Sequence, residues 1–177
     1  MPSELYNQIM SQKGSFENLV MKIPGFKGYQ EKQARRTADR LLREHLANEI
    51  NAHIKAFGRL QNKLLDGGKG LRYMARAREV QAQIQMYHDK VETAAPKYSG
   101  MWSQVKVDND ALDRIYAFDE AQFRFLTQLD AAIAGMEAAV QSGEGVEDAM
   151  DTVFDTASTA SDAFDLRDDE ILNLNKF

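Results

Sequence analysis

No cysteine occurs among the 177 residues, and proline (three), tryptophan (one) and long apolar runs are equally scarce. Each shortage excludes something. Without cysteine there is no disulfide framework, no zinc–thiolate site and no thiol nucleophile. No stretch of about 18 apolar residues is present, which predicts no membrane-spanning helix. Pro2, Pro24 and Pro96 fall outside the strong helical patterns, so long helices run without a break. The N-terminal stretch lacks a basic region followed by an apolar run. It does not read as a secretory signal, and a cytoplasmic protein is expected.

Signatures of catalysis are equally thin. Gly67-Gly68-Lys69-Gly70 lacks the spacing of a phosphate-binding loop and has no strand before it, so it reads as a turn between helices. Di-metal helical bundles use Glu-x-x-His pairs. Here the residues three before His45, His53 and His88 are Leu42, Ile50 and Gln85, so that motif is missing. No cofactor is expected.

What the chain does have is helical periodicity. At 44% hydrophobic and 28% charged, the composition is that of a folded domain. Turn signals at 23–28, 66–70, 96–100 and 142–145 divide it into five segments. Segment one, about 3–22, carries Leu5, Ile9, Phe16, Leu19 and Ile23 on one stripe. Segment two, about 29–66, carries Ala38, Leu42, Leu46, Ile50, Phe57, Leu60 and Leu64. Segment three, about 71–97, carries Tyr73, Ala77, Val80, Ile84, Tyr87, Val91, Ala94 and Tyr98. Segment four, about 109–142, carries Leu112, Ile115, Leu126, Leu129, Ile133, Met136 and Val140, widened by Phe118, Phe123 and Phe125. Asp108 or Asp110 is placed to cap its start. Segment five, about 146–172, carries Val146, Met150, Val153, Ala157, Ala160, Phe164 and Ile171.

Spacings of three and four, sustained over several turns, predict helices packed at shallow angles with coiled-coil-like seams. The expectation is one all-α domain over 1–177. It is an elongated up-down-up-down antiparallel bundle of about five helices, with four long helices over 29–172 and the helix at 1–23 docked on them. The loop Ser99–Val107 is expected to be ordered, with Trp102 at least partly buried.

Charge is unevenly spread. Residues 1–98 carry 17 Lys/Arg and 10 Asp/Glu, whereas residues 99–177 carry 5 and 17. Basic helices lying beside acidic ones account for this most simply; a surface for nucleic acid or anionic lipid is the alternative. The run Lys27, Lys32, Arg35, Arg36, Arg40 and Arg43 is interrupted by Glu31, Asp39 and Glu44 and has no interleaved aromatics. It reads as a solvated face, and no nucleic acid is expected. The acidic run Asp162, Asp165, Asp168, Asp169, Glu170 lacks the spacing of a calcium loop and reads as exposed.

Several polar residues interrupt the apolar stripes. These are Glu49 and His53 in segment two, His88 in segment three, Asp119 and Gln122 in segment four, and Arg167 in segment five. A crude antiparallel register brings all six into one layer of the bundle. The plain reading is a structural polar layer that fixes register, with Asp119 paired to Arg167 and Glu49 paired to His53 or His88. The alternative is a metal or small-ligand site. The functional expectation is a non-enzymatic helical interaction or scaffold protein, with a protein partner or a second copy. A metal- or ligand-binding bundle is one alternative. Peripheral membrane contact through segment one is another, though that segment lacks the basic polar face such anchors use.

Overall fold

The computed structural model describes residues 3–12, 14, 16–68, 70–93, 102 and 106–174. Among these residues there are six α-helices and no strand. They are α1 (Glu4–Ser11), α2 (Phe16–Lys22), α3 (Arg35–Asp66), α4 (Met74–Thr93), α5 (Asn109–Ser142) and α6 (Val146–Asn173). A 3-10 turn, Gly70–Tyr73, leads into α4. The apolar stripes form one core. Every stripe residue of α3 listed above is buried, as are Ala77, Val80, Ile84, Tyr87 and Val91 of α4. Asp108 caps α5, its side chain accepting the Ala111 amide hydrogen at 2.8 Å.

Direction alternates along the chain, as short loops require. The lateral order adds what periodicity does not reveal. Helices α3 and α4 form one hairpin, and α5 and α6 form a second; α3 packs beside α5 and α4 beside α6. His53 lies level with Asp130 and Lys63 with Glu137, so α3 and α5 run parallel. Arg76 meets Asp151 and Lys90 meets Asp165, so α4 and α6 also run parallel. The two hairpins therefore stack in the same sense.

The N-terminal segment departs from expectation. It is two helices rather than one, broken at Gly14. A Cβ on Gly14 would stand 2.2 Å from the backbone carbon of Tyr116 and 2.4 Å from the nitrogen of Ala117. The elbow thus lies directly on the α5 backbone, which only glycine permits. Covered by α1 and α2 on one side and by α3 and α6 on others, α5 is buried on all faces from Ile115 to Phe123. A helix apolar on a single stripe could not accept that. This one carries Tyr116, Ala117, Phe118 and Ala121 around the stripe.

The long third helix begins at Arg35, six residues later than the pattern suggests. Residues 29–34 instead form a turn that carries Tyr29 into the interior. Gly28 enables it with a left-handed backbone (φ +75). Of the Ser99–Val107 loop, residues 99–101 and 103–105 lie outside the described residues, as do Ala94–Pro96, Lys97 and Tyr98. Trp102 is buried, at 2% exposure.

Candidate functional site

The centre of the molecule is ionic. Arg167 is wholly buried (0% exposed) and its guanidinium is surrounded by acceptors. Its Nε donates to Asp119 Oδ1 at 2.6 Å. Nη2 donates to Asp39 Oδ1 at 2.8 Å and to the Tyr29 hydroxyl at 3.0 Å. Nη1 reaches Asp168 Oδ1 at 3.4 Å. A second guanidinium, Arg43, shares two of these carboxylates. It donates to Asp39 Oδ2 at 3.0 Å, to Asp168 Oδ1 at 2.9 Å, and to the Val91 carbonyl of α4 at 3.1 Å. Both guanidiniums lie over the Phe164 ring, at 4.9 Å and 5.5 Å from its centroid.

Tyr29 closes the cluster. Its hydroxyl accepts from Arg167 and donates to Asp119 Oδ2 at 2.6 Å. Its amide donates to the Tyr116 hydroxyl at 3.1 Å, and its carbonyl accepts from Arg35 Nε at 2.7 Å. Trp102 stacks on its ring, 5.3 Å between centroids and 9° from parallel. One cluster thus ties the N-terminal segment, all four long helices and the linker before α5.

Local sequence explains the placement. Arg35, Asp39 and Arg43 recur every four residues and so share one face of α3, beside the stripe of Ala38, Leu42 and Leu46. Asp119 and Arg167 each replace an apolar residue on their own stripe, which aims them at the bundle axis.

Electrostatics follow from the geometry. Burial pulls Arg167 down, but Asp119, Tyr29, Asp39 and Asp168 outweigh it and hold the guanidinium well above its ordinary value. Burial pushes Asp39 up, yet Arg167 and Arg43 together keep it below the usual carboxylate value. Asp119 and Asp168 lie above theirs because burial exceeds what the arginines return. Burial and the neighbouring Asp119 carboxylate push Tyr29 up, so it stays a neutral donor.

The six polar residues of the expected layer separate. Asp119, Gln122 and Arg167 are fully buried, and Asp119 pairs with Arg167 as expected. Gln122 lies apart from that pair: it accepts from the Tyr87 hydroxyl at 2.6 Å and donates to the Ala160 carbonyl at 3.4 Å. Glu49, His53 and His88 do not join them. Glu49 has a side chain 45% exposed and is bound to His45 at 3.0 Å, not to His53 or His88. His53 gives Nδ1 to the Glu49 carbonyl at 2.9 Å and turns Nε2 toward Asp130 of α5. His88 lies beside Asp89 and Glu92 of its own helix. The His53 and His88 side chains are nonetheless largely buried, at 11% and 14% exposure, whereas Glu49 opens to solvent.

The basic run also divides. Lys27, Lys32, Arg36 and Arg40 are exposed, whereas Arg35 and Arg43 are buried. In the acidic run, Asp168 is buried and Asp162, Asp165 and Asp169 are exposed. Arg43, Asp39, Asp168 and Tyr29 were thus hidden among residues that look like solvated surface. The four-residue recurrence of Arg35, Asp39 and Arg43, alternating in sign, was the available signal.

Among the described residues, His88, Asp89 and Glu92 form the one group of three ligating side chains whose donor atoms lie within 4.8 Å of one another. They occupy a single helical turn, and both carboxylates are exposed. The buried cluster has a different character: a guanidinium fills its centre, where a cation would have to stand. No described helix is long and apolar enough to cross a membrane. Compared with protein families, with curated proteins and with solved structures, the chain matches none.

Proposed function

We propose that this chain is a non-enzymatic helical interaction or scaffold protein. The buried ionisable groups support the reading first, since they are engaged with one another in holding the fold. The observation that carries it is the outer face of α6. Its exposed charged residues are Glu147, Asp148, Asp151, Asp155, Asp162, Asp165 and Asp169, all acidic. The only basic residue of the helix, Arg167, is in the core. Arg76 and Lys90 of α4 answer Asp151 and Asp165. The remaining carboxylates face solvent along a rigid helix about 42 Å long at 1.5 Å per residue. Such a face steers and holds a basic protein surface. A metal-binding alternative would have to displace the Arg167 guanidinium or use the surface trio on α4.

Charge reversal tests the proposal. Asp148→Lys, Asp155→Lys and Asp162→Lys together should leave the far-ultraviolet dichroism of the protein unchanged, because all three side chains are exposed. A partner recovered from the native host with the unaltered protein, and released by added salt, should be lost with the triple variant. Recovery of the same proteins by both would contradict the reading.

A further inference from the structure

The cluster around Arg167 is unbalanced. Three carboxylates, Asp39, Asp119 and Asp168, share two guanidiniums, Arg43 and Arg167. With every group ionised, these five side chains taken alone would hold one net negative charge; a third buried guanidinium, Arg35, stands beside them on the Tyr29 carbonyl. Such a charge is expensive to keep away from water. One proton restores balance, and the hydrogen bonds indicate where it goes.

Asp39 accepts on both oxygens, Oδ1 from Arg167 and Oδ2 from Arg43. Asp119 also accepts on both, Oδ1 from Arg167 and Oδ2 from Tyr29, each at 2.6 Å. Asp168 differs. Both of its guanidinium contacts fall on Oδ1, at 2.9 Å and 3.4 Å. Among the described residues its Oδ2 receives no donor, and its side chain keeps 10% of its exposure. We propose that Asp168 is the protonation site of the buried cluster, making its contact with Arg43 a proton-operated tie between α6 and α3.

Burial opposes the ionised form most strongly; Arg167 from α6 itself and Arg43 from α3 favour it, and Asp39 from α3 opposes it. From α5, Asp119 is held by Arg167 and Tyr29. From α4 come the Val91 carbonyl, which takes one Arg43 hydrogen, and Lys90, which is bound to Asp165 at 2.6 Å. Glu92 of α4 shares a surface cleft with Arg40, Arg43 and Glu44 of α3. From the segment before α3 comes the Tyr29 phenol, bound to Asp119, and from the start of α3 comes Arg35, bound to the Tyr29 carbonyl. Burial outweighs both arginines, and with Asp39 it holds the Asp168 carboxyl above its ordinary value.

The sign of the effect follows. A folded-state value above the unfolded one means that the folded protein holds a proton the unfolded chain has released. This contribution to stability is complete below the unfolded value near 3.8. It is lost as pH rises through the folded value. Acidification from neutrality should stabilise the fold and rising pH should destabilise it, while the Asp168–Arg43 contact itself is strongest when Asp168 is ionised.

Two measurements test this. In the intact protein, the carbon-13 resonance of the Asp168 carboxyl should titrate with a midpoint above the ordinary aspartate value of 3.8. A midpoint at or below that value would overturn the assignment, whatever any variant does. In urea, the unfolding midpoint of the unaltered protein, minus that of Asp168→Asn, should increase as pH falls from neutrality toward the ordinary aspartate value of 3.8. His45, His53 and His88 lie outside the cluster and contribute alike to both proteins, so the difference isolates Asp168. A difference that is flat or decreases on acidification would also overturn the proposal.

Discussion

Replacing Arg167 with Met should destabilise the protein by about 3–5 kcal/mol, the typical cost of removing one partner from a buried ion pair. The variant would leave Asp39, Asp119 and Asp168 facing a single guanidinium, with Asp119 stripped of its Nε donor. Domains commonly have a total stability of only about 5–15 kcal/mol, so the loss takes a large share. Equilibrium urea unfolding followed by far-ultraviolet dichroism measures it. The companion experiment replaces Arg167, Asp119 and Asp39 together with apolar residues. That combination should cost less than Arg167→Met alone, because no charge is stranded. A single variant within about 1 kcal/mol of the unaltered protein would mean that the cluster is hydrated in solution and exerts little hold.

Tyr29 carries the second large effect. Tyr29→Ala removes a ring that is fully buried among Phe26, Tyr116 and Trp102, and large aromatic truncations of this kind cost about 3–5 kcal/mol. Tyr29→Phe keeps the ring and removes only the hydroxyl. It leaves Asp119 Oδ2 and one Arg167 hydrogen without a partner, a loss of about 1–3 kcal/mol. Fluorescence separates the two. Trp102 should move toward the emission of water-exposed indole in Tyr29→Ala and stay put in Tyr29→Phe. Equal costs for the two variants would mean that the stack on Trp102 contributes nothing and the hydroxyl everything.

Much of the fold was legible in the sequence because stripes of three-four spacing leave a helix little choice. The bounds of α5 agree with the pattern at both ends, and Val146–Asn173 differs from it by one residue. The lateral order of the hairpins was not legible, since a stripe says that a face is buried and not against which helix. The site was legible where a polar residue interrupts an apolar stripe: Asp119, Gln122 and Arg167 stand alone among Ile115, Leu126, Phe164 and Ile171. It was hidden where a buried ion stands among exposed ones. Arg43 has Glu44 beside it and Asp168 has Asp169. What brings Arg43 to Asp168 is the placement of α3 across the bundle from α6, a tertiary fact with no local trace. Glu49, His53 and His88 show the opposite error. Glu49 and His88 lie one position off their stripes, beside Ile50 and Tyr87, and His53 lies on its stripe but turns its ring to the exposed Asp130 of α5.

The central claim is that two guanidiniums, three carboxylates and one phenol are locked together in the dry middle of this bundle. Nitrogen-15 spectroscopy of the arginine side chains examines it most directly, in the unaltered protein and without relying on any variant to fold. The side-chain protons of Arg167 and Arg43 should give separate, persistent signals at neutral pH, protected from exchange with water, and the Arg167 signals should vanish in Arg167→Met. Guanidinium protons that all exchange as fast as those of exposed Arg36 and Arg40 would contradict the account.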